Sequence, residues 1–127
     1  MLYFGSGLDI IYPPENRGVY EKIVQTGGVI ISEYKMGTKP IASNFPNRNR
    51  IIAGLAKGVL VIEAQKRSGS LITVDFALEQ GKDIFAIPGD IDKPNSIGTN
   101  ELIKQGAKVV TCIEDILDEI KVNDYIV

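Results

Sequence analysis

The sequence predicts an α/β protein, a Rossmann-like three-layer fold on a mostly parallel sheet of about five strands. Three observations carry this. Short β-branched runs, of which Val59-Leu60-Val61-Ile62 is the clearest, alternate with segments whose apolar residues recur at three- and four-residue spacing. Glycines stand where those helical segments should stop: Gly27-Gly28, Gly58 and Gly81. Strands separated by helices require parallel pairing through right-handed crossovers, with helices on both faces. A chain of 127 residues, 44% hydrophobic and 24% charged, is long enough for one domain with a modest core. Residues 1–120 are expected to form that domain, and 121–127 a tail or linker stub.

The elements follow in order. Leu2 to Phe4 reads as a strand ending in Gly5-Ser6-Gly7. Asn16 to Thr26 reads as a helix with Val19, Tyr20, Ile23 and Val24 inward, and Val29 to Ser32 as the second strand. Tyr34 to Asn44 is an exposed loop. Asn44 is placed to cap a helix opening at Phe45-Pro46, where proline suits the first turn, with Ile51, Ile52, Leu55 and Ala56 as its apolar stripe. Val59 to Ile62 is continuous enough to be a strand buried on both faces. Ser68-Gly69-Ser70 opens a helix to Gln80 with Leu71, Val74, Ala77 and Leu78 inward. Asp83 to Ile87 is the fourth strand, and Pro88 to Ser96 a loop. Thr99 to Gln105 is a short helix, Ala107 to Thr111 the fifth strand and Ile113 to Ile120 a last amphipathic helix.

Composition removes several functions. There is no histidine and a single cysteine, so a zinc site and a histidine-dependent triad have no ligands or base to use. Cys112 lies in an apolar stretch and reads as a small buried hydrophobe rather than a reactive thiol. No apolar run is long enough to cross a bilayer and no basic-then-apolar leader opens the chain, so a cytoplasmic protein without membrane contact is expected. The net charge of −2 argues against a nucleic-acid partner, but its distribution argues for one. From Tyr34 to Arg67 there are seven basic residues and one acid, Glu63, which makes that block +6 and the remainder −8. Such asymmetry presents one face to an anion, unless the side chains scatter over several faces.

Two constellations could use that face. Phe45-Pro46-Asn47-Arg48-Asn49-Arg50 sets two arginines at a helix N-terminus, against the dipole preference for acids there. A cluster that breaks a local rule marks a functional site, and with the helix amides it would hold phosphate. Phe45 is either a core residue or a ring on which a base stacks. Lys66-Arg67-Ser68-Gly69-Ser70 follows a strand and opens a helix, at the carboxyl end of the sheet where α/β folds bind ligands. Small residues there make an anion nest, or Ser68 or Ser70 is simply an N-cap. Gly5-Ser6-Gly7 lacks the third glycine of a dinucleotide fingerprint and reads as a tight turn. Ile87-Pro88-Gly89-Asp90 reads as a turn that could also offer backbone to a ligand. Glu63 could orient an arginine or act as a catalytic carboxylate. The orienting role fits better, because no second acid stands at a fixed spacing.

These residues also carry a resemblance. Gly5-Ser6-Gly7-Leu8-Asp9 through Tyr12-Pro13-Pro14-Glu15-Asn16, Ile31-Ser32-Glu33, then Phe45 to Leu55, Glu63-Ala64, Ser68 to Thr73, Phe85 to Gly89, Gly98 to Ile103 and Gly106-Ala107 resemble, in register, the Rossmann-like domain of the DprA/Smf (DNA-processing protein A) family. The resemblance covers roughly Leu2 to Leu117. It implies a non-enzymatic, cofactor-free protein that binds and protects single-stranded DNA and helps load the recombinase RecA in natural transformation. It places Arg48, Asn49 and Arg50 on the wall of a basic pocket and Ser68, Gly69 and Ser70 on its floor, with Lys66 and Arg67 beside them. It implies a homodimer formed through the late part of the domain, where Ile103 and Val109 match apolar positions. The chain begins at what would be the family's fourth strand, without the earlier βαβ half and its Gly-Ser-Arg loop, the helical N-terminal module or the winged-helix module. A truncated sheet with weakened affinity is therefore expected, and an exposed inner strand edge open to self-pairing.

Two other readings stand beside it. One is a nucleotide-ligand sensor using the same cleft. The other is a nucleotide N-glycosidase-like protein of the lysine-decarboxylase-like Rossmann group, against which Arg67 to Thr73 lacks that group's Pro-Gly-Gly-x-Gly-Thr loop. Competition by a mononucleotide separates the sensor from a strand-binding protein.

Overall fold

The structure, a computed structural model, describes residues 1–124. Five strands and five α-helices alternate: β1 (Leu2–Tyr3), α1 (Arg17–Gln25), β2 (Ile30–Ile31), α2 (Asn44–Leu55), β3 (Gly58–Val61), α3 (Gly69–Glu79), β4 (Asp83–Ala86), α4 (Pro94–Lys104), β5 (Lys108–Val109) and α5 (Glu114–Asp124), with a 3₁₀ turn at Pro14–Asn16. The predicted α/β order and parallel pairing are both present. The backbone hydrogen bonds divide the five strands into two sheets, β1-β2 and β3-β4-β5. The chain forms two compact units, Met1–Arg48 and Asn49–Val127.

In the first unit, β1 and β2 pair in parallel with Leu2 opposite Ile30 and Tyr3 opposite Ile31. Phe4, buried just past β1, meets the ring of Tyr20 on α1 at 5.8 Å. Gly5-Ser6-Gly7 is the tight turn its sequence predicts, and the neighbouring loops explain why it is rigid. Ser32 donates to the Ser6 carbonyl at 2.6 Å, Gly7 N donates to the Thr38 carbonyl at 3.0 Å, and Asp9 accepts from Gly37 N at 2.8 Å. A Cβ on Gly7 would lie 2.6 Å from the Lys35 carbonyl, so no other residue fits. Asn44 is not the N-cap its position predicts. It lies inside α2, and its buried side chain donates to the Gly5 carbonyl at 2.8 Å, satisfying a turn carbonyl instead of a helix amide.

In the second unit, β3, β4 and β5 run parallel, with Val59 opposite Ile84 and Phe85 opposite Lys108. Helix α3 packs on β3 and β4, and α4 on β4. Ala53, Val61, Ala64, Val74, Ala77, Ile84, Ala86 and Leu102 form the core, with Val59, Leu71 and Phe76 packed against it. Small residues dominate this list because helix and sheet approach closely where alanines face each other.

Several predicted inward residues are exposed. Leu55 and Leu78 are 60% and 56% accessible, and Ala53 supplies the buried position on α2 instead. Strand β3 is not buried on both faces: Val61 is in the core, but Leu60 and Ile62 are 39% and 63% accessible. Alternate strand residues point to opposite faces, and the face carrying Leu60 is a shallow apolar groove lined also by Ile87, Val110, Ile113 and Ile116. Cys112 is exposed rather than buried, because β5 ends at Val109 and the chain turns into α5 there. Asp115 fixes that turn by accepting from the backbone N–H groups of Thr111 (2.8 Å) and Cys112 (3.2 Å). Helix α5 continues past the predicted end at Ile120 to Asp124; the rest of the predicted tail, 125–127, lies outside the described residues.

Candidate nucleic-acid interface

The first basic cluster opens α2, a helix that begins at a buried Asn44 and carries Phe45 and Arg48 on adjacent turns. Spacing of three residues puts the two side chains on one face. The Arg48 guanidinium lies over the Phe45 ring, 5.5 Å from its centroid, and Nη1 donates to the Tyr3 carbonyl at 3.0 Å. Burial lowers the guanidinium pKa from its ordinary value, but arginine remains charged at any physiological pH. Phe45 is half-buried and meets the Tyr12 ring at 6.1 Å, so it is neither a closed core residue nor a bare platform. Tyr3, Tyr12, Asn16, Tyr20, Phe45 and Arg48 line a recess of about 300 Å³ in the first unit. The ring contact and the carbonyl bond fix the plane of the guanidinium, and a fixed fork is what bidentate phosphate recognition requires.

Asn49 and Arg50 continue the helix in the second unit. Arg50 is exposed, and its backbone carbonyl accepts from Gln80 Nε2 at 3.0 Å. The structure places Arg48 and Arg50 in different surroundings although a single residue separates them: the first half-buried against aromatic rings, the second exposed.

The second basic cluster precedes α3. Ser68 is extended and caps the helix, its Oγ accepting from Ser70 N, and the Ser68 and Ser70 hydroxyls bond each other at 2.7 Å. The simple capping reading therefore holds for Ser68, and the two hydroxyls are engaged with one another. Lys66 and Arg67 are exposed. Together with Ser68, Gly69 and Ile72 they border a groove of about 960 Å³ that runs between α3 and α4 to Glu101. The groove is basic at the helix N-terminus, apolar along Leu71, Ile72 and Ile97, and acidic at Asp75 and Glu101. An anion is favoured at one end of it only.

The other candidates resolve into structural roles. The partner of Glu63 is Asn95, whose Nδ2 donates to it at 3.2 Å. The backbone of Gly89 is occupied on both sides by the Asn100 side chain, Gly89 N donating to Oδ1 at 3.1 Å and Nδ2 donating to the Gly89 carbonyl at 2.9 Å. Ile103 packs partly on the core, while Val109 on β5 is 40% accessible. Among the described residues no group of three or more His, Cys, Asp or Glu side chains could hold a metal ion, and no helix is long and apolar enough to cross a membrane. Sequence reasoning missed Tyr12, Asn95 and Asn100. An aromatic beside prolines gives no signal of the ring it will meet; Asn95 is expected in a loop, whereas α4 begins at Pro94, and Asn100 gives no signal of the loop it will hold.

Comparison with known proteins decides the family. The model of the DNA recombination-mediator protein A family matches residues 2–121. The chain belongs to this family. Among curated DNA recombination-mediator relatives, Protein Smf of Escherichia coli is 50% identical over 92% of this chain and 31% of its own length. DNA processing protein DprA of Streptococcus pneumoniae is 50% identical over 91% of this chain and 40% of its own. The chain thus spans between about a third and two fifths of the length of these relatives. The crystal structure of the S. pneumoniae protein superposes with a TM-score of 0.81. A structure of DNA processing protein A from Helicobacter pylori, described for its single-stranded DNA binding mode, superposes at 0.82 with 33% identity, over 97% of this chain and 56% of that one. The family match takes in both basic clusters.

Proposed function

We propose that this chain binds single-stranded DNA, without turnover and without a cofactor, through its two basic clusters. The observation that carries the reading is the likeness over 97% of the chain to a relative described for binding single-stranded DNA, combined with the +6 block that both clusters share. Arg48 offers a fixed, half-buried fork to one phosphate, with Phe45 and Tyr12 beside it as surfaces for a base. Lys66 and Arg67 meet further phosphates at the N-terminus of α3, where the helix dipole and the amides of Ser68 to Ser70 favour negative charge. Asn49 and Arg50 extend the first cluster along the strand. None of these groups reads a base edge by a fixed donor pattern, so binding is indifferent to sequence and falls steeply with salt.

The same reading extends to a cytoplasmic protein that protects single strands and passes them to RecA in transformation and recombination. It also extends to self-association through the exposed Val109 and its neighbour Ile103, and to residues 1–120 acting as part of a larger DNA-processing domain. Fluorescence anisotropy of labelled oligo-dT titrated with the chain at two salt concentrations tests the central claim. Salt-sensitive binding that duplex competes for poorly is the expected result. Failure to bind at low salt would sink the reading, and efficient competition by a mononucleotide would replace it with a nucleotide sensor.

A further inference from the structure

A densely bonded surface of the second unit lies outside its basic cluster. It is the N-terminal half of α4, which meets the loop after β3 at several points. Ala64 N donates to the Asn95 carbonyl at 2.8 Å, and Gly98 N donates to the Ala64 carbonyl at 2.7 Å. The Asn95 side chain bonds both neighbours of Ala64: Oδ1 accepts from Gln65 Nε2 at 3.0 Å, and Nδ2 donates to Glu63 at 3.2 Å. A Cβ on Gly98 would lie 2.7 Å from the Ala64 carbonyl, so helix and loop are in van der Waals contact with nothing between them. The helix itself is anchored to the end of β4 by the paired bonds of Asn100 to Gly89. Loop residues 63–65 run directly into Lys66, Arg67 and the cap Ser68, and Glu63, Gln65, Arg67, Ser68 and Asn95 line one small recess.

We propose that Asn95 is a positioning residue for DNA binding: through Glu63 and Gln65 it sets the approach of the loop that carries Lys66 and Arg67 to the cap of α3. The inference rests on the reading of that loop as a phosphate site. Asn95 touches no phosphate in this scheme. Its contribution is to remove the disorder that the two long cationic side chains and their loop would otherwise lose on binding. Net hydrogen bonds at exposed positions are weak, so the fold should tolerate losing them while the loop does not.

The test is oligo-dT anisotropy on the full chain and four variants, with amide hydrogen exchange of the free proteins alongside. Asn95→Ala should bind about fivefold more weakly, the size expected when a pair of ordinary hydrogen bonds is lost. Its salt slope should stay unchanged because every cation remains, whereas Lys66→Ala should lower the slope by about one. Exchange should quicken at residues 64–68 and stay unchanged in β3, β4 and β5. Asn95→Asp sets a carboxylate beside Glu63 and should weaken binding further. The pair Glu63→Gln with Asn95→Asp keeps the net charge, reverses which partner donates, and should restore affinity. Wild-type affinity in Asn95→Ala, or a failure of the double substitution to rescue, overturns the positioning role while leaving the DNA reading intact. A wild-type chain that fails to bind oligo-dT overturns the reading and this role together.

Discussion

The two basic clusters differ in how much of their geometry is settled before any ligand arrives. Arg48 is half-buried, stacked on Phe45 and bonded to the Tyr3 carbonyl. Lys66 and Arg67 are exposed side chains on a loop that runs into the helix cap at Ser68 and is bonded to α4 through Asn95. The first cluster belongs to the fold of its unit, so it gives direction at low entropic cost. The second supplies charge density, which acts over distance and is screened by salt. The contrast makes the two clusters separable by experiment.

The largest expected effect comes from breaking the rigid side. Arg48→Ala removes a charge-assisted phosphate contact and should weaken oligo-dT binding about tenfold to a hundredfold. It also loses the Tyr3 bond and the ring contact, so its thermal or urea midpoint should fall by the equivalent of about 1–3 kcal/mol. Unchanged stability would show that the cluster is not built into the fold. Arg48→Lys sharpens the point: charge is kept but the planar fork is lost, and binding should recover only in part, as titration at low salt would show. On the exposed side, Lys66→Ala should cost about threefold to tenfold in affinity, uniformly across oligonucleotide sequences, with stability untouched. Ser68→Ala removes the cap of α3 and should destabilise by about 1 kcal/mol in chemical denaturation.

The smallest effect lies away from both clusters. Asp115 accepts from Thr111 and Cys112 backbone N–H groups, which holds its carboxyl below the ordinary carboxylate value. Its stabilisation is therefore present above about pH 4 and lost as pH falls through the lowered folded value. Lys108 is raised by its bond to Glu119, so that contribution holds below the ordinary lysine value and fades as pH rises through the folded one. Both groups are partly solvated, and the slopes of melting midpoint against pH should be slight. Asp115→Asn should flatten only the acid limb.

Much of this was legible in the sequence because it depends on local chemistry. Ser68 capping α3 and the positive-φ glycines Gly27 and Gly81 after helices follow from backbone rules alone, whereas Gly58 opens β3 without a positive φ. Arg48 and Arg50 stand out in the sequence as cations near a helix N-terminus, against the dipole preference, but α2 begins at Asn44, which puts them at its fifth and seventh residues, past the first turn. What was not legible depends on partners far along the chain. Asn44 has an ideal capping identity, but a carbonyl thirty-nine residues earlier claims its side chain. Leu60 and Ile62 look buried in a run of four apolar residues, and only the one-sided helix cover of β3 decides otherwise. Asn95 falls in the stretch read as a loop, whereas α4 begins at Pro94, and neither it nor Asn100 signals its role until the loops they hold are placed beside them.

The close approach at Gly98 has a consequence for descent. Where a Cβ would meet the Ala64 carbonyl at 2.7 Å, a lineage has one admissible residue, however far the rest of α4 drifts. Neighbours such as Glu101, Lys104 and Gln105 face solvent and can change freely. Diverged copies of this unit should therefore be recognisable less by their charges than by a glycine that never varies, set on a helix where glycine is otherwise a poor choice.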